Sequence, residues 1–262
     1  MKMKNLYCIP SPMELPNFLD FSEEYNASFE YNEFFLPHIL DDGTATERII
    51  KAYQSTGRNL SDDTLHGAFL DICINSTDSK IFAASDFRVR QCMDIARRMG
   101  LKAVIFHTNY IVNFHLQSYL NTWLEKNEEY WRKLLKDYPG QMVYLENMFD
   151  DAPEMLTELA RRMADEPRFG VCLDIAHAKI SGSPVERWLE ALGPYTVHLH
   201  INDNDGNEDL HQAVGSGIAD WKQYDTWCHS LSSEPSALIE VRTFEELIQS
   251  VEYMKREHIY PF

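Results

Sequence analysis

Eight short apolar runs, each followed by a stretch of helical periodicity, fill this 262-residue chain from one end to the other. Strands are expected at 6–11, 28–35, 64–71, 103–107, 141–146, 170–174, 196–202 and 237–241. Helices are expected at 15–25, 46–55, 86–99, 116–136, 153–164, 184–191, 220–231 and 244–256. Gly100 behind one helix, and Pro153 and Pro184 at the start of two others, supply boundary signals. Strands joined through helices run parallel, so eight such units demand a parallel sheet. Closed on itself, that sheet is an α/β fold, the (β/α)8 TIM barrel, with 1–262 as a single domain. An open doubly wound sheet is the alternative, although no GxGxxG follows the first strand.

A barrel of this kind carries its chemistry where its strands end. The third strand offers His66 and the fourth ends at His107. The fifth ends at Glu146, and the sixth at Asp174 with His177 just beyond. The seventh supplies His200, then Asp209 and His211 in its loop, and the eighth ends at Glu240. Strand alternation puts Glu146 on one face with Tyr144, His107 with Ile105, Asp174 with Cys172 and Glu240 with Leu238. His198, His200 and Asn202 likewise share the inward face of their strand.

One histidine or glutamate at a strand end is ordinarily a satisfied hydrogen-bonding residue. Six successive strand ends of that kind crowd carboxylates into a poorly solvated mouth, where desolvation and mutual repulsion are costly. A bound cation removes that cost, so a metal site is expected. Asp203 and Asp205 add further acidic groups to the same bowl. The donors are nitrogen and oxygen; zinc, manganese, cobalt and magnesium all suit them, with the histidines favouring Zn2+ or Mn2+.

Composition narrows the partners. Lys and Arg total 24 against 41 Asp and Glu, a net charge of −17. Such a surface repels phosphate backbones and anionic lipid, so neither nucleic acid nor membrane is an expected partner. Lys179, Lys222 and Arg242 are scattered among the loops that follow strands. Five cysteines without CxxC spacing indicate reduced thiols and a cytoplasmic protein. The opening MKMKNLYCIP lacks the apolar core of a signal peptide, and no run approaches a membrane span.

Five segments carry a resemblance: LEN at 145–147, LDIAH at 173–177, HIND at 200–203, DLHQAVGSGIADW at 209–221 and IEV at 239–241. They resemble the xylose isomerase-like barrel superfamily over nearly the whole chain, least before position 61. That superfamily holds sugar and sugar-phosphate isomerases and epimerases, inositol-catabolism dehydratases and apurinic-site endonucleases of the endonuclease IV type. The resemblance to the epimerases implies one divalent ion on Glu146, Asp174, His200 and Glu240. The resemblance to the endonucleases implies up to three zinc ions, adding His66, His107, His177, Asp209 and His211.

The expected activity is therefore isomerisation or epimerisation of a sugar or sugar phosphate, through an enediolate held by a divalent ion at the barrel mouth. Glu146 and Glu240 would move the carbon-bound proton, and His177 would hydrogen-bond the substrate or ligate a second ion. A multi-zinc phosphodiesterase of the endonuclease IV kind is one alternative, and a non-catalytic, metal-binding sugar sensor is another. Glu33, Lys179 and Arg242 are candidate substrate contacts. His198 is expected to support His200 or to pack. Gly215 and Gly217 are expected to shape a tight turn, and Trp221 to pack the helix that follows. Phe106, Tyr110, Phe114, Trp123 and Phe149 are candidates for a pocket wall as well as for core. Substrate identity, metal count and oligomeric state stay open.

Overall fold

In this computed structural model, residues 5–114 and 116–262 are described, so part of the N-terminal segment read above lies outside them. Eight parallel strands close into a barrel in sequence order. They are β1 (Leu6–Cys8), β2 (Ser28–Tyr31), β3 (Thr64–His66), β4 (Ala103–His107), β5 (Met142–Glu146), β6 (Phe169–Asp174), β7 (Thr196–Ile201) and β8 (Ser236–Ile239). The (β/α)8 barrel expected from the eightfold pattern is the observed fold.

The two faces of each strand have separate fates. Ala103, Ile105, Tyr144 and Cys172 point into the barrel and form a small interior cluster. Val104, Phe106, Val143, Leu145, Leu173, Leu199 and Ile201 point outward into the main core beneath the helices. The helix Gln117–Asp137 shows why it forms where it does: Trp123, Tyr130, Trp131, Leu134 and Leu135 recur on one face, and that face is buried. The Trp131 ring lies 5.5 Å from that of Phe106 on the outward face of β4. Truncating a buried aromatic of this kind to alanine costs about 3–5 kcal/mol.

Several boundaries differ from expectation. β2 stops at Tyr31, because Glu33–Phe35 turn into a short 3-10 helix. β3 stops at His66, after which the Gly67 amide donates to the Ile105 carbonyl and the chain leaves the sheet. β8 stops at Ile239, leaving Glu240 just past the strand. The helix expected from 86 runs instead over Ser79–Met99, because the Asp78 carboxylate accepts from the Lys80 and Ile81 amides and caps it earlier. Gly100 closes that helix in a left-handed conformation, as its position suggested. A short helix over Ile175–Ile180, absent from the periodicity, follows β6 directly and is capped by Asp174. No helix among the described residues is long and apolar enough to cross a membrane.

Candidate metal centre at the barrel mouth

Register builds the site. Pairing of β4 with β5 sets His107 beside Glu146, and pairing of β6 with β7 sets Asp174 beside His200. Three abutting groups result. In the first, His107 Nε2 lies 3.1 Å and His66 Nε2 3.8 Å from Glu146 Oε2. In the second, His200 Nδ1 stands 3.1 Å from both Glu146 Oε1 and Glu240 Oε2, with Asp174 alongside. In the third, Asp209 Oδ2 lies 3.3 Å from His177 Nε2 and 3.1 Å from His211 Nε2. Glu146 belongs to the first two groups.

Neighbouring bonds aim these side chains. Asn147 donates through Nδ2 to the Asp174 carbonyl at 3.0 Å and accepts from the Asp174 amide at 2.9 Å, stitching the ends of β5 and β6 together. Its own carbonyl accepts from His177 Nδ1 at 2.8 Å, which turns Nε2 toward the mouth, where it meets Asp209 Oδ2 at 3.3 Å. Asp174 Oδ1 accepts from the His177 amide at 2.6 Å as the cap of the short helix. His66 is set in the same way, its Nδ1 against the Gly67 carbonyl at 3.0 Å.

The loop after β7 folds around Asp203. Its carboxylate accepts from the amides of Gly215 and Ala219, each at 3.0 Å, and from Trp221 Nε1 at 2.8 Å. With its oxygens so engaged, Asp203 scaffolds the loop and is not among the converging donors. Asp205 is exposed and caps a turn through the Asn207 and Glu208 amides. Gly217 is required here, since a Cβ would lie 2.3 Å from both Asp203 Oδ1 and the Asn204 carbonyl oxygen. Gly215 adopts φ +88° with the Tyr253 ring packed on it. The turn expected of the two glycines is present, and Asp209 and His211, earlier in the same loop, line the mouth.

Electrostatics bind the groups together. Burial raises the Glu146 carboxyl, but His200 and His107 outweigh it and hold that carboxyl well below its usual range. Burial also raises Glu240, yet His200 and His211 bring it down to about 2. Asp174 is pushed up to about 7 by burial, opposed by His177, with Glu240 and Glu146 adding to the rise. Burial lowers His211, but Asp209 and Glu240 carry it up to about 9.

The arrangement fits a divalent cation. Glu146, Asp174, His200 and Glu240 are buried, and their donor atoms lie within 4.8 Å of one another. Glu146 Oε2, Asp174 Oδ2, His200 Nδ1 and Glu240 Oε2 have no hydrogen-bond partner. A buried polar atom left so costs about 1–3 kcal/mol, which coordination would recover. His66, His107 and Glu146 form a second set that meets the same distance condition.

His66, His107, Glu146, His177, Asp209, His211 and Glu240 line a cavity of about 390 Å3 open to the mouth, walled by Phe35, Phe69 and Phe149. Arg242 lies at its edge as expected. Other expected contacts are elsewhere. Glu33 sits on the 3-10 turn and hydrogen-bonds the Tyr53 hydroxyl, so it is turned away from this cavity. Lys179 lines a separate cavity with Pro184, Glu186 and Gln223. Phe106 and Trp123 are core residues, because the first is on the outward face of β4 and the second on the buried face of its helix. Tyr110 borders an adjoining hollow with Met148, and Phe114 packs on Tyr119. Phe149 does form wall; Phe35 and Phe69 were hidden inside over-long strand assignments.

Two further buried carboxylates take part: Asp150, which in sequence is one more acid of a strand-following loop, and Glu30, which strand-end reasoning does not single out. Asp150 accepts from the Thr108 hydroxyl at 2.6 Å and the Met148 amide at 2.9 Å, tying the loop after β5 to β4. Glu30, mid-strand on β2, faces His198 and His200 inside the barrel. Its signal was a lone charge on the alternating inward face, one turn of the pleat from Asn32.

The chain belongs to the xylose isomerase-like TIM barrel family, which matches residues 24–256. An uncharacterised protein of Methanocaldococcus jannaschii is 24% identical, over 73% of this chain and 68% of that protein. A probable endonuclease 4 of Mycobacterium leprae is 28% identical, over 60% of this chain and 64% of its own length, so this chain spans less than two thirds of that relative. Among solved structures, a D-tagatose 3-epimerase-like protein superposes with a TM-score of 0.74 at 21% identity, covering 98% of this chain and 96% of its own. That likeness is one of fold.

Proposed function

We propose that this chain is a divalent-metal-dependent isomerase or epimerase of a small sugar or sugar phosphate. The observation that supports it is the placement of Glu146 and Glu240 on two sides of His200, each with one oxygen 3.1 Å from Nδ1. Their remaining oxygens face different ways, Glu146 Oε2 toward His107 and Glu240 Oε1 toward His211. A divalent ion held by Glu146, Asp174, His200 and Glu240 would polarise a carbonyl and acidify the adjacent C–H. Zn2+ or Mn2+ suits that donor set.

Glu146 then takes the proton from carbon and Glu240 returns one, or the roles reverse with the direction of reaction. His177, its Nδ1–H held by the Asn147 carbonyl, presents Nε2 to a substrate hydroxyl. Arg242 is available to an anionic substituent at the edge of the cavity. Phe35, Phe69 and Phe149 wall the cavity and limit water around the reacting carbon. A cavity of about 390 Å3 suits a small molecule.

A second reading, hydrolysis of a phosphoester by several ions, is favoured by one specific observation. His66 and His107, and separately His177, Asp209 and His211, form groups for which one ion has no use. With ions in both of its groups, Glu146 would have no free oxygen to act as a base. The test is proton NMR in deuterated water across free and phosphorylated ketoses, with phosphodiester hydrolysis assayed on the same metal-loaded sample. Deuterium should enter at the carbon beside the carbonyl, and Glu146→Gln and Glu240→Gln should each slow entry by roughly a hundredfold or more. Hydrolysis without exchange overturns the isomerase reading.

A further inference from the structure

Beneath the mouth, the barrel interior holds a charge that the proposed reaction does not use. Glu30 is 0% exposed, and its carboxylate spans the barrel from β2 to β7. Oε1 lies 3.1 Å from His200 Nε2, and Oε2 lies 3.3 Å from His198 Nε2. The Thr64 hydroxyl donates to Oε2 at 2.7 Å from the neighbouring strand, which fixes the carboxylate's plane. Neither Glu30 Oε1 nor His200 Nε2 makes a hydrogen bond to any group, so their 3.1 Å approach is a close charge contact with nothing competing for either atom. On the far side of the same imidazole, Nδ1 faces the carboxylates of Glu146 and Glu240.

An imidazole can ligate a cation through Nδ1 only if its proton sits on Nε2, and the group beside Nε2 decides that. A buried carboxylate 3.1 Å away favours a proton there, while a neutral or apolar neighbour would leave the two tautomers close in energy. His198 braces the arrangement. Its Nδ1 meets the Ser236 hydroxyl at 2.6 Å and its ring packs edge-on to Tyr7 at 5.0 Å, so its Nε2 is held against Glu30. A carboxylate kept only to satisfy His198 would not need its second oxygen turned on His200.

We propose that Glu30 is a positioning residue for the mouth site: it holds the proton on His200 Nε2 and so commits Nδ1 to the metal. It touches neither the cation nor the substrate. The inference rests on the mouth binding a divalent ion and is independent of which reaction follows.

The test uses the whole chain with Zn2+ as probe, titrated against a competing chelator, and compares the native protein with Glu30→Gln. The amide is nearly isosteric and can still accept from Thr64, but it carries no charge toward His200. Zinc affinity should fall by roughly 10- to 100-fold, with the melting temperature of the metal-free protein little changed. A variant that loses metal-free stability but binds zinc within twofold of native shows a purely structural role and overturns the proposal. Nitrogen-15 NMR of the native histidine rings gives a readout that needs no variant. In the zinc-loaded protein, His200 should carry its proton on Nε2; a ring protonated on Nδ1 overturns the proposal. If the native protein takes up no zinc, the metal reading fails and this inference fails with it.

Discussion

Glu146 Oε2 and His107 Nε2 stand 3.1 Å apart across the ends of adjacent strands, and that contact governs what Glu146 can do. The other oxygen of the same carboxylate is already turned to His200. Left to His107, Oε2 would be available for proton transfer; given to an ion, it would not. On the proposed function, occupancy of the His66–His107 side would therefore separate proton transfer from hydrolysis.

Metal should be held without being added. Protein purified gently and free of chelator should carry at least one equivalent of divalent ion, held at Glu146, Asp174, His200 and Glu240. Chelation should lower the melting temperature, because the buried donors are then left unpaired, and added Zn2+ or Mn2+ should restore it. Glu146→Gln should blunt that response. Elemental analysis below about 0.2 equivalents, with no uptake of either ion, would remove the metal site.

DNA should not be a substrate. The chain carries a net charge of −17, and Arg242 is the cation among the residues described as lining the mouth cavity. A titration with abasic duplex at about 50 mM salt is the severest condition, since electrostatic attraction is then strong. No saturable binding is expected. Micromolar affinity or cleavage beside the lesion would favour the hydrolytic reading.

Asp150 should make stability depend on pH in a definite direction. Burial raises its carboxyl to about 6, against hydrogen bonds from Thr108 and Met148 that pull it down. The folded protein thus holds this proton more tightly than the unfolded chain, so the contribution falls as pH rises through about 4 to 6. Above that window the buried charge costs roughly 3 kcal/mol. Asp150→Asn retains an acceptor oxygen and cannot ionise. Its stability relative to native should increase from pH 5 to pH 8 in denaturant melts of the metal-free protein. A difference that is flat or shrinks over that range contradicts the assignment.

Gly217→Ala should loosen the mouth from a distance. The added Cβ meets Asp203 Oδ1 and the Asn204 carbonyl oxygen, neither of which can yield without breaking the loop. A loss of about 1–3 kcal/mol is expected, as for other overpacked sites. Retention of any ion at Asp209 and His211 should fall with it. A crystal structure of the variant with the loop unmoved and full stability would show that the approach is less tight than described.

The amino-acid sequence by itself determined the architecture. Eight apolar runs of period two, alternating with helical stretches, leave a parallel barrel as the consistent solution, because each face of each strand must be covered. It also determined the candidate donors, since alternation places Glu146, Asp174, His107 and His200 at the inward ends of their strands whatever the details of packing. What it left undecided was where strands stop and what lies across the barrel. Glu33 drew attention as a strand-end acid, yet a 3-10 turn carries it aside, while Glu30 meets His200 from a strand far away in the ring. Asp203 reads in sequence as one more donor in an acidic loop, but the Gly215 and Ala219 amides and the Trp221 indole bond to it. Local periodicity sees a residue's own strand and face. Whether a buried carboxylate meets an amide, an imidazole or a place for a cation is decided by contacts between strands distant in sequence, and those exist only once the barrel has closed.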